Sequence, residues 1–519
     1  MTNDEVKKNI WRNSASNYLF LVARLGLGVV IFRLLWQNLS KEEFGFWALL
    51  WSVFGYGILL DFGFGFTALK RVAELSVHKD WDQLGKVLST IFFSYVMIAA
   101  GMLLLGLLAS PLVIKAFKIT AENEPYFREV FLVFLFGMSV AFPLGIFPEV
   151  LRGQQRISLA NNIFLGTYLL SFAMVCLIIK YGGGLKLLLC ATMGSSIVAD
   201  LLCGYFAFKR MPDVRLHPSL FSKGMIVSTM RFSIFAYITT LTTLILTRTD
   251  QLVISTVLAV SAVALYQAGA KIGEMFSSLA MQIPDVLSPV AAHMNAKGDK
   301  KFLQSMLIQG TRVSVMVATP MYLVCAFFMG PLLHLLTGDK DVTQQHAETF
   351  WVGQVLLLWT YVMVVTQSVP KRIFMMCGHE KKLMWLGMGE AVMNLVLSVA
   401  LVFYYKNVVC VAIGSLIATA FFGIFYLWPW AAREANLSAL KLARTVLGPT
   451  WAACLPVIAL LIIERSVPQL DATGSFYLLV AETLIVGVVV VLGMWRVALN
   501  AEERAKVLSY ARVFTRRTV

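Results

Sequence analysis

The residues best placed to do chemistry lie in one apolar stretch, residues 262–290. There Gln267, Lys271, Glu274, Ser278, Gln282 and Asp285 follow one another at steps of 4, 3, 4, 4 and 3. On an α-helix those steps put all six on one stripe of a rod that is otherwise apolar. A charged side chain at the centre of a membrane helix costs about 2.5–3.5 kcal/mol, so such groups mark functional sites by default. A polar stripe in a span must face a partner helix or water, not lipid. Its length and its three charges favour a water-filled lumen. Pro284 precedes Asp285 and can shift its phase on the stripe.

Three further apolar stretches carry charge. In 232–257, Thr239, Thr243, Thr247 and Asp250 share one broad face, and Arg248 lies about 160° from Asp250. Arg248 therefore either snorkels at the outer end or packs between helices. In 17–36, Arg24 sits near mid-helix on a face with Asn17 and Gly28, whereas Arg33 is a turn from the outer end. Arg24 is thus the better candidate for holding an anion. In 44–69, Asp61 shares a face with Gly57, Gly65 and Ala68, where close helix approach would pair it with an arginine. Asp200, Arg312, Glu390 and Glu482 occur singly and read as structural pairs or helix-end residues.

The elements that must position these groups follow from composition. Of 519 residues, 58% are apolar and 14% charged, with a mean hydropathy of +0.75. Soluble domains run near 45–50% apolar and about 25% charged. The chain is an all-α polytopic membrane protein with about fourteen spans of ~20 residues each. The first six are expected at 17–36, 44–69, 87–108, 130–147, 161–179 and 185–208. Six more follow at 232–257, 262–290, 303–328, 351–369, 383–405 and 408–430, and two at 446–463 and 475–494. Seven cysteines show no ligand spacing, and no Walker motif or nucleophile elbow occurs. The expectation is no enzyme, no metal and no cofactor. Segment 17–36 lacks a cleavage pattern and reads as a retained first span.

Charge sets the orientation. With the amino terminus in the cytosol, thirty of the 44 Lys and Arg residues fall on cytosolic segments, nine on the opposite side and five within spans. The alternation holds along the chain, so both termini are expected in the cytosol. The net charge of +15 is then an orientation signal, consistent with an anionic inner leaflet and not with nucleic acid.

The chain also resembles itself at an offset of 219 residues: Leu39 matches Leu258, Trp47 Tyr266, Ala73 Ala292, Asp80 Asp299 and Leu84 Leu303. At an offset of 225, Gly153 and Arg156 match Gly378 and Lys381. Six spans repeat as six spans in parallel. The expected organisation is a tail (1–16), an N-lobe (17–208), a linker (209–231), a C-lobe (232–430), two extra helices (431–494) and a basic tail (495–519). Two six-helix lobes around a central cavity is a transporter plan. The densest charge sits on spans 1, 2, 7 and 8. It does not align across the offset, since Arg24 faces Thr243 and Asp61 faces Ala280.

At these residues the sequence resembles a known family. LLDFGFGFTALKRVAE (59–74), LRGQQR (151–156), RTDQLVISTVLAVSAVALYQAGAKI (248–272) and GHEKK (378–382) are similar to bacterial polysaccharide flippases. These are the O-antigen and exopolysaccharide translocases of the multidrug/oligosaccharidyl-lipid/polysaccharide (MOP) exporter superfamily. The resemblance covers about residues 15–430. It implies a cavity lined mainly by spans 1, 2, 7 and 8. It also implies an undecaprenyl-diphosphate-linked oligosaccharide as substrate, turned from the inner to the outer leaflet of the bacterial cytoplasmic membrane. A polysaccharide polymerase and chain-length proteins would be pathway partners, and H+ or Na+ the coupling ion. Arg24, Lys271 and Arg248 are the candidate cations for the diphosphate. Asp61, Asp250 and Glu274 are candidate coupling or cavity acids, with Gln267, Ser278, Gln282 and Asp285 as lining. A peptidoglycan-precursor (lipid II) flippase and a multidrug antiporter of the same superfamily are the alternatives, and buried cations argue against the antiporter.

Overall fold

A computed structural model describes residues 3–55, 60–62, 64–117, 119, 122–154, 156–284, 287, 291, 294–295, 298–339, 347–466, 476–499 and 504. Every regular element is helical, and the chain divides into two compact units, Met1–Ala264 and Leu265–Val519.

The first unit holds α1 (Asn3–Asn38), α2 (Lys41–Gly55), α3 (Phe64–His78), α4 (Trp81–Ala116) and α5 (Glu124–Leu144). It continues with α6 (Ile146–Gly153), α7 (Ile157–Lys180), α8 (Leu185–Phe208) and α9 (Lys223–Val257). A reciprocal capping box starts α2: the Glu43 N–H donates to Ser40 Oγ at 3.1 Å and the Ser40 N–H to Glu43 Oε2 at 3.0 Å. The core of α3, α4, α6 and α8 is built on Val72, Leu84, Leu88, Leu151 and Ala207, all buried. Gly153 lets α6 meet α3 closely, since a Cβ there would lie 2.7 Å from the Leu69 carbonyl oxygen.

The second unit begins within α10 (Val260–Ala280). It continues with α11 (Lys300–Phe327), α12 (Met329–Thr337), α13 (Ala347–Met363), α14 (Val369–Met376), α15 (Glu380–Tyr405) and α16 (Val409–Phe422). The last helices are α17 (Trp428–Glu434), α18 (Ala439–Ser466) and α19 (Phe476–Gly493). One turn of π-helix joins α13 to α14 at Val364–Ser368, and another joins α16 to α17 at Gly423–Leu427. Each precedes a proline, Pro370 and Pro429. A proline cannot donate to the preceding turn and crowds its carbonyl, and the wider turn relieves both defects. The two π-turns touch at Gly423, where a Cβ would lie 2.3 Å from Thr366 Oγ1.

The last two spans dock on α11. Leu323, Ala453, Cys454, Met494 and Ala498 form one cluster, and Phe328, Val457, Leu461 and Val486 another. Arg312, nearly buried, donates to the Ala498 carbonyl. That arginine is a structural anchor for the chain's final described turns.

The internal repeat has a physical counterpart. Asp80 caps α4 with φ −81° and ψ 76°, accepting from the Gln83 N–H; Asp299 caps α11 with φ −80° and ψ 77°, accepting from the Phe302 N–H. Both side-chain bonds are 3.0 Å. Both follow a left-handed residue, Lys79 or Gly298. Replacing either aspartate by alanine is expected to lower stability by about 1 kcal/mol, read as a lower unfolding temperature of the purified protein.

Among the described residues, nine helices are long and apolar enough to cross a membrane. The other expected spans overlap α1, α2, α9, α10 and α19, which are not among the nine, and the one expected at 44–69 is broken, with α2 ending at Gly55 and α3 starting at Phe64 after the left-handed Phe62. Four of these five are the charged spans 1, 2, 7 and 8, and α2, at 15 residues, falls short by length. Rows of bare apolar side chains, such as Leu104, Leu105, Leu108 and Leu112 on α4 at 60–72% exposure, need lipid against them. The chain is a multi-pass membrane protein.

Candidate functional site

The first unit contains an open cavity of about 600 Å³. Each surrounding helix contributes one face at helical spacing. From α5 come Met138, Ala141 and Phe142, with Gly145 at its C-cap; from α8, Met193, Ser196 and Asp200. Helix α2 adds Trp51 and Gly55, α4 adds Tyr95, and α9 adds Leu244 and Arg248. Asp61 completes the wall from the turn that joins α2 to α3.

Backbone geometry fixes these groups. Phe62 takes a left-handed φ of 48°, which turns the chain so that Asp61 accepts from the Gly65 N–H at 2.9 Å at the start of α3. The Tyr95 hydroxyl donates to the same carboxylate oxygen. Arg248 lies over Gly55, where a Cβ would stand 3.2 Å from Nε and would push the guanidinium by a few tenths of an ångström. Ser52 Oγ donates to the Arg248 carbonyl at 2.9 Å and ties α9 to α2. Asp200 is buried, at 7% exposure. Arg152 acts on it electrostatically, and it makes no hydrogen bond or ion pair among the described residues. Arg152 itself pairs with Glu149 behind the wall. The cavity thus presents one guanidinium and two carboxylates among aromatic and thioether surfaces.

In the second unit the stripe on α10 is described from Gln267 to Gln282. Gln267 is buried; Lys271 Nζ meets Glu274 Oε2 at 3.1 Å; Ser278 Oγ donates to the Glu274 carbonyl at 2.8 Å and Gln282 Nε2 to the Ser278 carbonyl at 2.9 Å. Glu274, Ser278 and Gln282 are exposed on the unit. Asp285 lies outside the described residues. Another side of α10 is small. A Cβ on Gly269 would lie 2.6 Å from the Thr349 carbonyl oxygen, so Gly269 packs directly on α13.

The remaining candidates separate. Arg24 and Arg33 are exposed on α1, and Arg24 acts electrostatically on Tyr168 of α7. Neither lines the cavity of the first unit. On α9 Arg248 lines it while Asp250 is buried elsewhere, at 4% exposure. Thr243 and Thr247 are exposed, and Thr239 lies among the side chains outside the description. Sequence reasoning placed Asp200 among scattered structural charges and did not single out Tyr95, Ser196 or Trp51. The i, i+4 pair Ser196–Asp200 in an apolar helix was the available signal.

Glu390, buried at 2% exposure, is a structural pair as expected. It accepts from Lys371 Nζ at 3.0 Å, Thr419 Oγ1 at 2.8 Å and Gln367 Nε2 at 3.1 Å. Among the described residues no group of three or more His, Cys, Asp or Glu is placed to hold a metal ion.

Comparison with known proteins bears on what such a fold does. No curated protein matches the sequence significantly. Among solved structures, a lipid II flippase, MurJ, in an inward closed conformation aligns with a TM-score of 0.69 at 14% identity, covering 93% of this chain and 97% of that one. An inward-facing multidrug resistance transporter of the MATE family aligns with a TM-score of 0.69 at 18% identity, covering 81% and 95%. A MOP superfamily transporter from Pyrococcus furiosus, described as having a binding pocket of reverse polarity, aligns with a TM-score of 0.58 at 17% identity, covering 84% and 96%. Over residues 10–295 the sequence matches the family model described as polysaccharide biosynthesis protein. The chain belongs to the polysaccharide biosynthesis protein family and has the fold of the MOP superfamily transporters.

Proposed function

We propose that the protein is a flippase for an undecaprenyl-diphosphate-linked oligosaccharide. It turns the sugar repeat from the inner to the outer leaflet of the bacterial cytoplasmic membrane by alternating access, for O-antigen or exopolysaccharide synthesis. Fourteen spans with both termini cytosolic, as the charge alternation indicates, complete the reading. The observation that carries it is a pair of cations in otherwise apolar helices: Arg24, exposed on α1, and Lys271 on the displayed stripe of α10. A diphosphate cannot cross hydrocarbon unaided, and guanidinium and ammonium groups hold it by charge-assisted hydrogen bonds. Family membership supports a polysaccharide precursor as cargo.

Roles follow from placement. Arg24 and Lys271 serve the anionic headgroup, and Arg248 contacts the sugar attached to it. Asp61 and Glu274 either couple H+ or Na+ movement or tune those cations by pairing. An organic-cation antiporter would favour acids without these cations. A lipid II flippase differs by phenotype, because losing it should stop growth and not merely strip the surface polysaccharide. Arg24→Ala and Lys271→Ala, each at wild-type expression, are expected to abolish surface polysaccharide in viable cells. Normal export by both variants would remove them from the site.

A further inference from the structure

The cavity of the first unit is poorly suited to a diphosphate. Its wall carries Asp61 and Asp200 against Arg248, and the Glu149–Arg152 pair behind it leaves three carboxylates to two guanidiniums. A ligand with two negative charges brought beside two carboxylates in a desolvated site meets like-charge repulsion. Sugar hydroxyls meet the opposite. Carboxylates accept from them by charge-assisted hydrogen bonds, and a guanidinium donates to ring, hydroxyl or acetamido oxygens.

The remaining wall has the same character. Trp51, Tyr95 and Phe142 offer flat apolar faces that suit the C–H faces of a pyranose ring. Met138 and Met193 are adaptable walls for variable sugars. The volume, about 600 Å³, falls within the range of small-molecule sites, about 300–1,000 Å³. Asp200 is the informative residue. It is buried, it borders the cavity, and it makes no hydrogen bond or ion pair among the described residues, so its acceptor capacity is open to a ligand.

We propose that this cavity is a glycan subsite, separate from the contacts that hold the diphosphate, and that it selects neutral or amino sugars against uronic acids. Asp200 and Asp61 accept hydroxyl or amino protons of the sugar, and Arg248 donates to its oxygens. The inference rests on the flippase reading, and the test separates the two.

The full-length protein in nanodiscs is titrated with three lipids: undecaprenyl diphosphate, undecaprenyl-diphosphate-N-acetylglucosamine, and the same carrier bearing glucuronic acid. The wild type is expected to bind the N-acetylglucosamine lipid more tightly than the other two. Asp200→Asn should weaken that lipid roughly tenfold or more, the scale of one lost charge-assisted hydrogen bond. It should leave the sugar-free carrier unchanged and strengthen the glucuronic acid lipid. Ala141→Phe, which fills the cavity, should remove the preference for sugar while binding of the bare carrier reports an intact fold. Equal losses for all three lipids in Asp200→Asn would overturn the subsite, as would unaltered N-acetylglucosamine binding in Ala141→Phe. A wild type that binds none of the three lipids defeats the flippase reading itself.

Discussion

Arg248→Ala is expected to abolish export of surface polysaccharide at wild-type expression, with Arg248→Lys retaining a fraction of it. Among the described residues the guanidinium is the one cation in the wall of the first unit's cavity, which Asp61 and Asp200 also line. Removing it deprives the cargo's sugar of a forked donor and leaves Asp61 and Asp200 in the wall without an opposing charge. A lysine restores charge but not the planar fork, and its ammonium is more strongly hydrated. Each lost charge-assisted contact corresponds to roughly tenfold or more in affinity. The check is the amount of surface polysaccharide against membrane protein quantified by immunoblot. The backbone control is Ser52→Ala, which loses the tie to the Arg248 carbonyl and keeps the guanidinium. It should export measurably.

Lys371→Ala is expected to destabilise the second unit by about 3 kcal/mol, the lower end of the cost of orphaning a buried charge, because Lys371 itself is about one-third exposed. Glu390 would keep its neutral donors, Thr419 and Gln367, without an opposing charge. The double variant Lys371→Met with Glu390→Gln removes both charges and preserves shape, so it should recover most of the loss. Thermal unfolding of the purified variants measures this. Equal stability of the single and double variants would mean that the pair contributes no coupling.

Patterns confined to one helix were readable in the sequence. The stripe on α10 needed only spacing, and its hydrogen bonds run along the same helix. The repeated aspartate caps were readable as Asp80 and Asp299 at one offset, because each satisfies a local backbone donor. The cavity was only half readable. Arg248 and Asp61 stood out as charges, but their meeting with Tyr95 and Asp200 depends on a left-handed turn at Phe62 and on contacts between distant helices. Residue spacing carries no record of such contacts. Glu390 read as a structural pair without a named partner for the same reason, since the end of α14 and the start of α15 separate it from Lys371. Span counting depended on length as well: α2 has 15 residues, too few for a crossing of its own.

Transport itself is the most direct measurement. The full-length protein is reconstituted in proteoliposomes containing undecaprenyl-diphosphate-N-acetylglucosamine in both leaflets, and an impermeant galactosyltransferase with its sugar donor labels the outer-leaflet sugar over time. Wild-type protein should bring the inner pool to the outer leaflet and make nearly all of the lipid accessible, while Arg248→Ala proteoliposomes should plateau with the inner pool protected. An inner pool that stays protected with wild-type protein, or one that Arg248→Ala exposes as fast as wild type, would contradict a flippase acting through that arginine.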